Sequence, residues 1–194
     1  MKEPRVIKEN HKIFLETAYS RIIDVITTYP EKEFSLSDLA KSAHVAKQNM
    51  GKLIDVLKQE EFITVEKLET IWRIRANRES TAFKTHKRIR NFVNLQRSGV
   101  TDILNKKYGN PKAIIFFGSY RKGEDLSTSD IDIAIDDDKN RSYTITRIKE
   151  LEKEEKYLHR KIQIHLFDRK TVDINVFNNI ANGIVLTGFL EVRP

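Results

Sequence analysis

Five apolar residues, Ala113-Ile114-Ile115-Phe116-Phe117, run straight into Gly118-Ser119, and ten residues later the chain reads Asp130-Ile131-Asp132-Ile133-Ala134-Ile135. An unbroken apolar run of that length suits a strand buried on both faces. The alternation from Ser129 to Ile135 predicts a second strand, with Asp130 and Asp132 on one face and the isoleucines on the other. Gly118 permits a sharp turn between them and, lacking a Cβ, lets a ligand approach the main chain. Two carboxylates side by side repel each other unless a cation lies between them. Mg²⁺ is the ion usually held by one or two carboxylates together with substrate phosphates. Ser119, Arg121 and Lys122 add a hydroxyl and two positive charges beside the turn. Together these residues read as a place for a triphosphate and a metal ion.

This pattern resembles that of the DNA polymerase β-like nucleotidyltransferase superfamily, in particular its minimal nucleotidyltransferases. Gly118, Ser119, Asp130 and Asp132 match the motif at full spacing, Gly123 and Ser129 fall where that family often has Gly and Ser, and the resemblance covers roughly residues 100 to 194. Asn179 to Leu186 also looks like the final helix and turn of such domains. The resemblance implies an NTP, with ATP the first choice, and Mg²⁺ as cofactor. It assigns Asp130 and Asp132 as catalytic metal ligands and Gly118, Ser119, Arg121 and Lys122 as nucleotide-binding residues. A hydroxyl would attack the α-phosphorus and pyrophosphate would leave.

Catalytic members usually carry a third carboxylate on a later strand, and here the chain departs from the family. The predicted strand Lys161 to Phe167 has Ile162, Ile164 and Leu166 on its apolar face and Gln163, His165 and Phe167 on the other. Neither Gln163 nor His165 is a carboxylate. His165 reads as a strand histidine bonded to a neighbour, with metal or proton chemistry as its alternative. Asp168 follows the strand, and Asp173 reads as a first-turn helix acid after Thr171. Enzymatic activity is therefore left open.

The 194 residues suit two modules. Zero cysteines exclude disulfides, thiol catalysis and zinc–thiolate sites. No apolar run approaches the ~20 residues of a membrane span, and the first ten residues lack the apolar core of a signal peptide. The expected location is cytoplasmic, with no membrane partner. The net charge of +7 falls entirely in residues 1 to 110, where 21 Lys and Arg oppose 14 Asp and Glu, whereas residues 111 to 194 carry 14 of each. From Arg73 to Lys107 ten basic residues face only Glu79 and Asp102, a field that favours a polyanion.

Ahead of the strands, apolar spacing predicts a helix from His11 to Thr28, a short helix capped by Ser37 and reaching Ala43, a turn at His44, and a helix from Ala46 to Glu60 with Met50, Leu53, Ile54 and Leu57 inward. Two strands, Phe62 to Val65 and Thr70 to Ile74, follow. That order, over residues 10 to 76, resembles the winged helix-turn-helix domains of prokaryotic regulators. In such domains the second helix of the pair enters the major groove, which would set Lys47, Gln48, Asn49 and Lys52 on duplex DNA with Arg73 and Arg75 of the hairpin. Gly51 inside this helix has no sequence rationale. A basic helix from Glu79 to Arg97, with Phe83, Ile89, Phe92 and Val93 inward, reads as a linker. A charged helix is predicted between Arg141 and His159 on Ile145, Ile148, Leu151 and Leu158. Asp136-Asp137-Asp138 reads as an acidic turn.

The fold class is thus α+β: a winged helix-turn-helix over 1–77, a basic linker helix over 78–99, and over 100–194 a nucleotidyltransferase domain with a mixed sheet flanked by helices. Two functional classes remain open. One is a DNA-binding nucleotidyltransferase that passes NMP from an NTP to a hydroxyl on protein, RNA or a small molecule. The other is a DNA-binding regulator whose transferase domain only binds nucleotide or mediates assembly. A third, the antitoxin-like transferases that modify a partner toxin, comes from the family alone.

Overall fold

The computed structural model describes residues 17–69, 71–137 and 142–192 and divides into two units, between Phe83 and Lys84. The start of the first expected helix, Thr70, and Asp138 to Arg141 lie outside the described residues.

In the first unit α1 (Ala18–Thr28) begins at Thr17, which forms a capping box with Ser20. Helix α2 (Leu36–Ser42) is capped by Ser35, whose side chain accepts the Asp38 N–H. The expected cap, Ser37, lies inside the helix, two residues past the cap position. His44 takes positive φ and turns the chain into α3 (Lys47–Gln59), which buries Met50, Ile54 and Leu57. Strands β1 (Ile63–Lys67) and β2 (Trp72–Ala76) pair antiparallel, and Phe34 bridges to Ile74 to add a third short contact. Ile22, Ile26, Leu39, Met50, Ile54, Leu57, Phe62 and Ile74 close one apolar core.

Helix α4 (Thr81–Ser98) contributes Phe83 to that core, against Phe62 at a ring separation of 5.0 Å. Of its other residues expected inward, Phe92 packs against the core of the second unit, but the buried face as a whole differs from expectation. Ile89 is 58% exposed, while Lys87, Asn91 and Leu95 are buried. The apolar pattern misses this face because half of it is polar. Lys87 and Arg160 both reach the buried Asp125 carboxylate, at 2.9 and 3.2 Å, and Asn91 donates to it at 2.8 Å. One buried carboxylate with three donors ties the helix to the loop after Gly123.

The second unit is a five-stranded mixed sheet in the order β5-β6-β4-β3-β7. It is built from β3 (Ala113–Phe117), β4 (Ile131–Asp136), β5 (Thr144–Thr146), β6 (Ile162–Phe167) and β7 (Ile184–Gly188). Only β4 and β6 run parallel. Helices α5 (Val100–Tyr108), α6 (Gly118–Lys122), α7 (Glu152–Leu158) and α8 (Ile174–Ala181) complete it. One face packs Ile114, Phe116, Ile131, Ile133, Ile162 and Ile164 with Leu95, Leu104 and Leu158; the other packs Ile115, Phe117, Ala134 and Phe167 with Ile180. The single charged helix expected between Arg141 and His159 is not formed. Its β-branched start, Thr144-Ile145-Thr146, is an edge strand on β6, and only Glu152–Leu158 is α-helical, after a 3-10 turn. Asp173 caps α8 through the Asn175 and Val176 N–H groups, rather than sitting in its first turn. Among the described residues no helix is long and apolar enough to cross a membrane.

Candidate active site

The chain leaves β3 at Phe117 and turns at Gly118 with φ +78°, a left-handed conformation that side chains rarely adopt. Phe117 is paired with Asp132 across the β3–β4 ladder, so the turn faces Asp132. A Cβ on Gly118 would overlap Asp132 Oδ2 and lie 2.9 Å from Cγ. The missing side chain thus leaves the carboxylate with its Oδ2 edge against the main chain of the turn.

Asp132 Oδ1 points the other way, toward β6. His165 Nε2 lies 3.1 Å from it, and Tyr143 Oη is 2.5 Å from His165 Nδ1. An ionised carboxylate only accepts hydrogen bonds, so Nε2–H donates to Asp132 and Nδ1 accepts the Tyr143 hydroxyl proton. Burial, then the Asp132 charge, pushes the Tyr143 phenol above its ordinary range, which keeps it a donor. His165 is 8% exposed and sits edge-on to Phe117. The expected strand histidine bonded to a neighbour is what stands here.

Asp130 lies one residue before β4. Its Oδ2 accepts the Gln163 amide N–H, and Arg147 Nη2 is 3.2 Å from both its oxygens. The parallel register pairs Asp132 with Gln163 and Ala134 with His165, so both β6 side chains arrive on the carboxylate face. The face assignment of Ile162, Ile164 and Leu166 against Gln163, His165 and Phe167 therefore holds.

Gly118, Arg121 and Lys122 line a cavity of about 430 Å³ with Phe117, Asn179 and Asn182. Within it the Arg121 guanidinium donates to the Asn182 carbonyl. Ser119 occupies the first turn of α6, where its carbonyl accepts the Glu124 N–H. Asp168 is turned away and caps the Lys170 N–H. In the first unit Lys47, Gln48, Asn49 and Lys52 are all exposed on α3. Arg73 and Arg75 share the Glu33 carboxylate, at 2.6 and 2.5 Å.

Sequence reading missed Arg147 and Tyr143 at the site, because their segment was assigned to a helix. The alternation Tyr143, Ile145, Arg147 was the available signal: three residues on one face of a short strand.

Among the described residues, no group of three or more His, Cys, Asp and Glu could hold a metal ion. Hard carboxylate oxygens on Asp130 and Asp132 beside a glycine turn nonetheless suit one Mg²⁺ whose remaining ligands come from phosphate and water. A glycine turn after a buried strand, set against a carboxylate pair in a mixed sheet flanked by helices, is consistent with a nucleotidyltransferase domain. Residues 99–188, somewhat under half of the chain, match the family model described as Polymerase beta, Nucleotidyltransferase. No curated protein and no solved structure matches the chain significantly.

Proposed function

We propose that this domain binds an NTP, ATP first among them, and transfers its nucleotidyl group to a hydroxyl acceptor. The observation that carries the proposal is the left-handed Gly118 turn set directly against Asp132 Oδ2, an oxygen that accepts no hydrogen bond among the described residues. Gly118 and Ser119 receive the β and γ phosphates, and Arg121 and Lys122 supply positive charge along the same cavity. Asp130 and Asp132 hold Mg²⁺, which when bound neutralises charge on the phosphates and on the leaving pyrophosphate. A second cleft of about 580 Å³, lined by Ser127–Asp130 with Glu152, Glu155 and Lys156 of α7, is the proposed entry for an acceptor. The acceptor oxygen bonds to the α-phosphorus, the bond to the bridging oxygen breaks, pyrophosphate leaves with that electron pair, and the hydroxyl proton passes to water. Positioning carries most of the work in such a transfer.

The N-terminal unit is proposed to be a winged helix-turn-helix that holds duplex DNA. Support comes from the exposed Lys47, Gln48, Asn49 and Lys52 at the start of α3: Gln and Asn side chains pair with adenine, and Lys with guanine or phosphate. Lys47→Ala with Gln48→Ala should weaken a duplex shift, and the wild-type shift should fall steeply with salt, by about 0.9 in log–log slope per neutralised phosphate. An unchanged shift would remove α3 from the DNA.

The second reading, a DNA-binding regulator that senses nucleotide without turning it over, is favoured by the strand Ile162–Phe167 offering Gln163 and His165, and no carboxylate, to Asp130 and Asp132. Pyrophosphate release from labelled NTP with Mg²⁺ separates the two. Transfer onto protein, RNA or small-molecule hydroxyls, abolished by Asp130→Asn with Asp132→Asn, supports the enzyme. Nucleotide binding with no label on any acceptor supports the regulator. A partner toxin is one protein acceptor to include.

A further inference from the structure

We infer that Arg147 fills the place of a second divalent cation, so that the site works with one metal ion and one resident guanidinium. The inference rests on the nucleotide-binding reading above. Two-metal sites clamp the entering and leaving oxygens between two ions, and each ion needs its own oxygen ligands. Here the two edges of the carboxylate pair differ. On the Gly118 side Asp132 Oδ2 lies against the glycine turn and accepts no hydrogen bond among the described residues, which leaves it the oxygen available to one ion. On the β6 side both carboxylates meet N–H groups: the Gln163 amide on Asp130 Oδ2 and His165 Nε2 on Asp132 Oδ1. Hydrogen-bond donors aimed at those oxygens oppose a second cation there.

The positive charge on that side is supplied by the chain. Arg147 Nη2 stands 3.2 Å from both Asp130 oxygens, carried to the edge of the site by β5, whose Ile145 pairs with His165. The Arg147 side chain is 53% exposed, and an ion pair at that exposure is weak enough to be exchanged. A guanidinium also suits phosphate oxygens better than a carboxylate alone, through its planar fork of donors. Once a triphosphate arrives, Arg147 can turn from Asp130 to the phosphate without leaving the site.

The test counts ions rather than turnover. Mn²⁺ bound per protein–nucleotide complex is measured by electron paramagnetic resonance, with a non-hydrolysable α,β-methylene NTP analogue. The wild-type chain should bind one Mn²⁺, and Arg147→Ala with Gln163→Asp should bind two. Arg147→Ala alone should keep the count at one and weaken the analogue roughly tenfold. Two ions on the wild-type protein would overturn the inference while leaving nucleotide binding intact. A wild-type chain that takes up neither analogue nor Mn²⁺ would overturn both it and the nucleotide reading. The wild-type count decides even if the double variant fails to fold.

Discussion

Gly118 is the residue on which the site's geometry turns. Its φ of +78° and the overlap a Cβ would make with Asp132 mean that Gly118→Ala strains the backbone and displaces the carboxylate together. The strain alone costs about 1–3 kcal/mol. Denaturant unfolding should show a loss of that size, and nucleotide binding should disappear even where the variant is fully folded. Retained binding would mean the turn does not cradle phosphate. The glycine and the carboxylate pair were legible in sequence because both are short-range signals: a turn after an apolar run, and two acids with period two. Of that pair's partners, Gln163 and His165 were placed on the right face of their strand by its period, but their bonds to Asp130 and Asp132, and Arg147 altogether, were not readable, since they depend on pairing between strands distant in the chain.

Local elements divide in the same way. The helices of the first unit and its hairpin follow apolar periodicity, so their existence was readable while their caps were not. The segment from Ser142 to Leu158 was misread because its isoleucines and leucines fit a helical period, yet Ile145 is 54% exposed on an edge strand. Two predictions belong here. A Cβ on Gly51 would meet nothing within 4 Å, so Gly51→Ala should stabilise α3 by about 1 kcal/mol, read as a higher midpoint in thermal or denaturant unfolding; no gain would place some unseen constraint at that position. The hairpin arginines carry the other. Hydrogen bonds from Arg73 and then Arg75 hold the Glu33 carboxyl below its ordinary range, so the lock they form is complete at neutral pH and opens only as pH falls through that lowered value. Glu33→Gln releases the Arg75 guanidinium and leaves Arg73 only its 3.3 Å pair with Glu66, and should tighten duplex DNA, steepening the salt slope by up to about 0.9 for each arginine that gains a phosphate. An unchanged slope would remove Arg73 and Arg75 from the DNA-binding surface.

At the scale of the whole molecule, charge and chemistry are separated along the chain. The excess of basic residues lies in positions 1 to 110 and the carboxylate site beyond them, yet the first unit carries only 14 Lys and Arg against 13 Asp and Glu, so the basic run from Lys84 to Lys107 belongs to the same unit as the site. The split itself, between Phe83 and Lys84, falls inside α4, and the sequence could not place it there. The inward polar side chains Lys87 and Asn91 look like solvent-facing residues until Asp125 is seen beside them. Isothermal titration of the wild-type chain with ATP, GTP, CTP and UTP, with and without Mg²⁺, bears directly on the role of the carboxylate pair. At least one NTP should bind in the presence of Mg²⁺, and Asp132→Asn should remove that dependence on the ion. Binding of no nucleotide, or binding that neither Mg²⁺ nor Asp132→Asn changes, would contradict it.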